Sequence, residues 1–216
     1  MALAGLLIWQ KNKAVAPSSQ KIEENNPVDQ NPDVPEAPKP NVIYPMSSFK
    51  DREIVNPFGR YFAPGTSSHP DLDVCSNAVA YTGYHTALDI EALPDETSKS
   101  VPILSIASGI VRRATTASGY GGLVVIQYAL NGQTYTAYYG HLNINSINLK
   151  ENAKVNLGDK IGELGPACSS ANGVTRKHLH FGLHKGTEID IRGYVPSQNV
   201  LNNWADPASL LKTLVI

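Results

Sequence analysis

The sequence predicts a mainly β fold built on an antiparallel sheet, with one short helix near the C-terminus. Apolar segments of strand length follow one another along the chain and are separated by glycine-containing turns. Asn131-Gly132 lies between two of these segments and is the strongest short hairpin signal in the chain. The segments do not alternate with helical patterns, which argues against a parallel sheet with crossover helices.

Local patterns predict the individual elements. Residues 56–61 predict a turn that leads into a strand, and residues 63–84 predict a long polar loop. Asp206 is a candidate N-cap, and Pro207 suits the first position of a helix that continues over 208–214. The other predicted strand segments are 86–92, 101–107, 110–114, 123–130, 133–139, 155–162 (a strand and a turn) and 177–183.

Length and charge narrow the class of protein. A chain of 216 residues is expected to form one domain, or one domain with a tail. The net charge of −1 and the absence of a basic run argue against nucleic acid as a partner. Cys75 and Cys168 are too few for a disulfide scaffold and lack zinc-knuckle spacing, so they form either one bridge or two buried thiols.

The N-terminal part divides into two segments before the domain at 46–216. Residues 1–16 are apolar but shorter than the ~20 residues that cross a bilayer as a helix. This segment is a short export signal or the end of a membrane anchor; the alternative is a mobile apolar tail. Residues 17–45 are polar and rich in proline, which predicts a disordered, extended linker. Such a layout is typical of a protein tethered at a membrane and reaching outward.

His178 and His180 are the strongest chemical signal. On a strand, residues two apart point to the same face, roughly 6–7 Å from each other. The two imidazoles can serve one metal ion, or one can bind the ion while the other handles a proton. Leu179 and Phe181 take the opposite face and are expected in the core. The alternative is that both histidines are simply polar residues on a solvent-exposed face.

Other histidines and an aspartate offer partners for this pair. His85 and Asp89 are good zinc ligands, but four strand residues span roughly 13 Å. They can share an ion only if the chain turns between them, with Asp89 at a strand start; alone, they would be an ordinary surface pair. His141 is a third candidate. The same distance argument makes His184 a rim residue, and His69 is expected to be a surface loop residue.

Seven short motifs follow one another along the chain. They are Phe58-Gly59-Arg60, His85-x-x-x-Asp89, Ala107-Ser108-Gly109-Ile110-Val111, Gly119-Tyr120-Gly121-Gly122, Tyr139-Gly140-His141-Leu142, Val155-x-x-Gly158-Asp159-x-Ile161-Gly162 and His178-Leu179-His180-Phe181. Each motif is weak alone, but their joint order and spacing are specific. Over about residues 50–213 they resemble the lysostaphin-type (LytM-like) zinc metallopeptidases, which cut peptide bonds in bacterial cell-wall peptidoglycan.

The resemblance implies a role for each candidate. His85, Asp89 and His180 would hold one zinc ion per domain and leave a fourth position open for water. His141 and His178 would be catalytic, orienting that water and accepting its proton. The fold implied is a sandwich-like metallopeptidase domain with an open groove.

The resemblance also implies a substrate and a location. The expected substrate is a stem or bridge peptide of peptidoglycan, cleaved outside the cytoplasm in the cell envelope by a monomeric enzyme. A non-catalytic member that binds peptidoglycan, or that activates another hydrolase, is the alternative.

The chain departs from the family mainly in two loops. Ala87 stands where glycine is frequent, and the loops at 66–84 and 165–177 are long. Because Cys75 and Cys168 lie on these loops, we hypothesise a disulfide that clamps the groove. Four tyrosines could line the groove or pack in the core: Tyr84, Tyr120, Tyr138 and Tyr139.

Overall fold

A computed structural model of the chain describes residues 42–64, 75 and 81–215. The strands in these ranges are β1 (Ile54–Asn56), β2 (Tyr61–Phe62), β3 (Gly83–His85), β4 (Ala87–Glu91), β5 (Pro102–Leu104), β6 (Gly109–Ala117), β7 (Gly121–Leu130), β8 (Gln133–Leu142), β9 (Lys154–Val155), β10 (Lys160–Glu163), β11 (His178–Lys185), β12 (Tyr194–Val195) and β13 (Trp204–Ala205). The α-helices are α1 (Gln198–Leu201) and α2 (Pro207–Leu214).

One large sheet dominates the domain. Its eight strands include the path β1-β4-β11-β8-β7-β6-β9, and β13 pairs with β11. Two smaller sheets are formed by β12-β3-β2 and by β10-β5. Neighbouring strands in all three sheets run antiparallel. The prediction of a mainly antiparallel β fold is therefore confirmed.

The strongest local predictions are also confirmed. Asn131 and Gly132 connect β7 to β8 with φ angles of 47° and 76°, the left-handed backbone that a tight hairpin turn requires. Asp206 caps α2, because its Oδ1 accepts from the Ala208 N–H over 2.9 Å. Pro207 is the first residue of that helix. The short helix α1 was not predicted.

Side chains along β11 point alternately to the two faces of the sheet, which separates the core residues from the histidines. Leu179, Phe181 and Leu183 are fully buried in the main apolar cluster, as predicted for the first two. His178 and His180 point to the other face, where a smaller cluster around Tyr138 and Trp204 covers part of the sheet. The strand thus presents its histidines beside a packed apolar region of the second face.

His184 is not a rim residue, and this prediction was wrong. It is buried, and its ring meets the Trp204 ring edge-on at a centroid distance of 4.8 Å. The cause is β13, which pairs with the end of β11 and places Trp204 directly opposite His184. A strand of two residues leaves little trace in a sequence pattern.

The chain changes sheets at Thr86, between the predicted ligands His85 and Asp89. His85 ends β3 in the three-stranded sheet, and Ala87 begins β4 in the eight-stranded sheet. The Thr86 hydroxyl donates to the Arg192 carbonyl over 2.6 Å, which anchors this bend. The expected turn is present, but Asp89 lies in the middle of β4 and not at a strand start.

The predictions for residues 1–16 and most of 17–45 lie outside the described residues, and so does His69. The boundaries between the three predicted segments therefore stay predictions. Val42 and Met46, at the beginning of the described part, are buried in the main apolar cluster. Among the described residues, no helix has the length and apolar character needed to cross a membrane.

Candidate metal centre

Strand register brings the site together. Asp89 on β4 is the direct cross-strand partner of His180 on β11, and His180 is the partner of Gly140 on β8. Directly opposite residues share a face of the sheet. Gly140 keeps this face open for the Tyr120 ring, because a Cβ at residue 140 would lie 2.3 Å from a ring carbon. The register thus sets two polar side chains next to each other in a confined space.

The side chains of His85, Asp89 and His180 offer their polar atoms to one point. His180 Nδ1 lies 2.9 Å from Asp89 Oδ1, and His85 Nε2 lies 3.3 Å from His180 Nδ1 and 3.4 Å from Asp89 Oδ1. All three residues are buried, and these atoms lie within 4.8 Å of one another. Two imidazole nitrogens and one carboxylate oxygen form a donor set that suits zinc and leaves a coordination position open.

Hydrogen bonds outside this cluster select the nitrogen that each histidine offers. His85 Nδ1 lies 3.3 Å from the Pro57 carbonyl, which can only accept, so Nε2 is left free for an ion. The Tyr120 hydroxyl donates to the Ile191 carbonyl over 2.7 Å and can accept from His180 Nε2 at 3.3 Å. Nδ1 of His180 is then the free nitrogen. Both assignments agree with the atoms that converge on Asp89.

Asp89 divides its two oxygens between different tasks. Oδ2 accepts from Asn56 Nδ2 over 2.7 Å and from Arg176 Nη2 over 3.0 Å, while Oδ1 faces the histidines. Arg176 also donates to Glu91 over 2.8 Å. Asn56 and Arg176 were not predicted as site residues. The only local signal for Arg176 is its place just before His178, since its contact with Asp89 depends on how β4 and β11 pair.

His141 and His178 lie beside this cluster. Their ring centroids are 4.3 Å apart, and His178 Nε2 lies 3.6 Å from Asp89 Oδ1. Each ring donates Nδ1–H to a backbone carbonyl, His141 to Asn172 over 2.8 Å and His178 to Arg176 over 3.0 Å. In the neutral state, Nε2 of each ring therefore carries the lone pair. The structure brings all five predicted site residues into one place.

Burial and charge set the protonation states of this site. Burial lowers the pKa of His180 from its usual 6.5 to about 4, and burial lowers the pKa of His141 well below its usual value. Burial alone would raise the pKa of Asp89, but the nearby histidines, His85 first, hold it well below its usual value. At neutral pH the cluster thus combines an unprotonated His180 ring with an ionised Asp89 carboxylate, as metal binding requires.

A cavity of about 420 Å³ opens over the cluster. Tyr81 and Tyr194 form one wall, stacked at a centroid distance of 4.6 Å, and Tyr120 lines it as well. Of the four predicted tyrosines, only Tyr120 lines this cavity. Tyr138 and Tyr139 are buried in the two apolar clusters, and Tyr84 packs against Tyr61. Tyr81 and Tyr194 were missed, because nothing in their local sequence distinguishes them from core tyrosines.

The predicted link between the two long loops is present. Cys75 and Cys168 form a disulfide bond across 93 residues of sequence. Cys168 begins the stretch that ends at Thr175 and Arg176, two residues that line the cavity. The bond therefore ties a wall of the cavity to Cys75.

Two histidines and one aspartate make a set of three protein ligands, which is the number that holds a catalytic zinc ion with its fourth position open. The chain belongs to peptidase family M23, whose family model matches residues 83–191. No curated protein sequence gives a significant match.

Solved structures support this assignment of the fold. The chain is similar to LytU, with 25% identity, a TM-score of 0.50, and coverage of 76% of this chain and 87% of LytU. It also resembles a chain in the SpoIIQ–SpoIIIAH pore-forming complex, with 18% identity, a TM-score of 0.51, and coverage of 82% and 94% respectively. At that identity the second likeness concerns the fold alone.

Proposed function

We propose that this protein is a zinc-dependent endopeptidase that hydrolyses peptide crosslinks or bridges of bacterial peptidoglycan. The observation that carries the proposal is the convergence of His85, Asp89 and His180, whose ligand atoms lie within 4.8 Å of one another, in an M23 domain. These three side chains would hold one zinc ion. When bound, zinc polarises the scissile carbonyl and acidifies a water molecule.

His141 and His178 perform the proton chemistry in this proposal. Their Nδ1–H groups are engaged by backbone carbonyls, so their Nε2 atoms are the available acceptors. Burial lowers the pKa of His141, so its ring is unprotonated at neutral pH, which is the form that a general base must have before it takes a proton from the attacking water. After the transfer, the same ring can return the proton to the leaving amine. The proximity of the two rings lets them share this task.

The cavity suits a short stretch of extended peptide. Its volume of about 420 Å³ is that of a ligand pocket, and the walls of tyrosine and backbone offer both apolar contact and hydrogen bonds. Stem or bridge peptides of peptidoglycan fit this description. The cleaved bond would lie above Asp89 Oδ1, where the ligand atoms converge.

The remaining parts of the proposal concern location and assembly. We place the enzyme outside the cytoplasm in the cell envelope, as a monomer whose N-terminal segment and linker tether it to a membrane. The Cys75–Cys168 bond supports this location, because disulfides persist in oxidising compartments.

Digestion of purified peptidoglycan with mass analysis of the released fragments tests the function. We expect the zinc-loaded protein to release peptides with new amino termini, a chelator to stop the release, and His180→Ala to abolish it. The His184→Asn variant, whose histidine lies on the same strand outside the cluster, should stay active if it folds. Binding to peptidoglycan without product release would overturn catalysis and favour the non-catalytic alternative.

A further inference from the structure

One loop holds both histidines to which we assign proton chemistry. His141 donates Nδ1–H to the carbonyl of Asn172, and His178 donates Nδ1–H to the carbonyl of Arg176. The two carbonyls are four residues apart, on the segment that follows Cys168. A change in the path of this segment would therefore alter the hydrogen bonds of both rings together.

The Asn172 side chain ties the two carbonyls to each other. Its Nδ2 donates to the carbonyl of Thr175 over 2.9 Å and to that of Arg176 over 3.2 Å, and its Oδ1 accepts from the Thr175 N–H at 3.3 Å. Two acceptors face the amide nitrogen and one donor faces the oxygen, so this orientation of the amide is the only one that satisfies its partners. The residue is fully buried.

The loop needs such a tie because its backbone is intrinsically unfavourable. Cys168 and Val174 have φ angles of 56° and 60°, in the left-handed region, which is rare for a β-branched residue such as valine. Conformations of this kind persist only where surrounding contacts determine them. The Cys168 N–H donates to the Thr175 carbonyl over 2.8 Å, which is the same oxygen that Asn172 holds.

Close packing fixes the position of the turn against the sheet. A Cβ at residue 165 would lie 2.5 Å from the Asn172 Cβ, and a Cβ at residue 121 would lie 2.7 Å from its Cα. Gly165 also donates its N–H to the His141 carbonyl over 2.9 Å. Asn172 is thus closely packed on two sides by glycine backbone, and one of these glycines is hydrogen-bonded to the backbone of His141.

We propose that Asn172 is a positioning residue that sets the Nδ1–H tautomer of His141 and His178 at once. Its backbone carbonyl holds the first ring, and its side-chain amide holds the carbonyl that binds the second. Nε2 of both rings is thereby presented as the acceptor on the cavity side. This inference rests on the proposed function for its catalytic consequence, but the tautomers themselves can be measured without activity.

The first test is nitrogen NMR of the metal-free protein with labelled histidine at mildly alkaline pH. We expect Nδ1–H tautomers for His141 and His178 in the unmodified protein, with His141→Gln and His178→Gln used for assignment. An Nε2–H tautomer on either ring would overturn the proposal. This measurement can overturn the proposal even if every variant at residue 172 fails to fold.

The second test compares three variants of one turn. Asn172→Asp keeps the acceptor for the Thr175 N–H but sets a carboxylate oxygen against two carbonyls, and Asn172→Ala removes all three side-chain hydrogen bonds. Ser170→Ala is the control, since Ser170 is exposed on the same turn. We expect the residue-172 variants to lose the uniform Nδ1–H pattern and kcat to fall about 10- to 100-fold, with KM and zinc content little changed.

Other results separate this proposal from the function that it serves. Tautomers unchanged in both residue-172 variants, or shifted equally by Ser170→Ala, would overturn the role of Asn172. If the unmodified protein has Nδ1–H tautomers that depend on Asn172 but releases no peptides, the proposed function fails and the positioning role stands.

Discussion

Arg176 Nη2 donates to Asp89 Oδ2 over 3.0 Å and leaves Oδ1 of that carboxylate to the histidines. Asn56 donates to the same Oδ2. The carboxylate is therefore held in one orientation before any ion arrives. A fixed ligand loses less conformational freedom on binding, so these partners should matter for metal affinity.

We predict that Arg176→Ala weakens zinc binding about 10- to 100-fold, because Asp89 Oδ2 then keeps only its hydrogen bond from Asn56 and Glu91 loses its cation. Competition with a chromophoric chelator measures the affinity directly. Arg192→Ala is the matched control, since Arg192 also lines the cavity but pairs with Asp190. Equal affinity in the two variants would contradict the role of Arg176.

We predict that Asp89→Asn abolishes stoichiometric zinc binding, because the neutral amide removes the anionic ligand while keeping its shape. Metal analysis after dialysis gives the zinc content, and circular dichroism checks the fold. Glu91→Gln is the control: Glu91 also binds Arg176 but is not one of the three converging ligands. If Glu91→Gln loses as much zinc as Asp89→Asn, the charge near Arg176 controls zinc binding, and ligation by Asp89 does not.

We predict that the metal-free protein loses stability as the pH falls from about 6.5 to about 4. The pKa of His180 is about 4 in the folded protein and near 6.5 when unfolded, so in this window the unfolded chain binds the additional proton. The contribution of His180 to the free energy of unfolding is fully present above pH ~6.5 and fully lost below pH ~4, a change of roughly 3 kcal/mol. Urea unfolding in chelator at several pH values measures it. A His180→Asn variant should show a shallower dependence, and an equal slope would contradict this assignment.

We predict that removing the disulfide with Cys75→Ser and Cys168→Ser lowers the free energy of unfolding by about 2–4 kcal/mol, since the bond closes a long loop in the unfolded chain. Thermal or urea unfolding of the double variant measures the loss. The same protein without substitutions should show no titratable thiol from these residues until a reductant is added. Two free thiols in non-reducing denaturant would refute the bond.

The sequence was informative where the signal is local. The Asn131-Gly132 turn, the Asp206 cap and the alternation of Leu179 and Phe181 with His178 and His180 all depend on neighbouring residues. These features gave the antiparallel sheet, the C-terminal helix and the histidine face. Motif order then assigned roles to His85, Asp89 and His141 through a family resemblance.

The missed features depend on contacts between distant segments. Asn56 reaches Asp89 only because β1 pairs with β4, and Arg176 does so only because β4 pairs with β11. His184 was misplaced because a strand of two residues, β13, covers it. No pattern within a single segment reports such register, so a sequence identifies the candidate ligands more readily than the residues that orient them.

Because the chain changes sheets at Thr86, a bound ion would connect two sheets of the domain. His85 belongs to the three-stranded sheet, whereas Asp89 and His180 belong to the eight-stranded sheet. An ion held by all three would staple the two sheets together on the side of the cavity. Without the ion, the two sheets could separate locally on this side. Removal of the metal should therefore speed hydrogen exchange of the backbone amides of β3 more than that of the amides in the centre of β11.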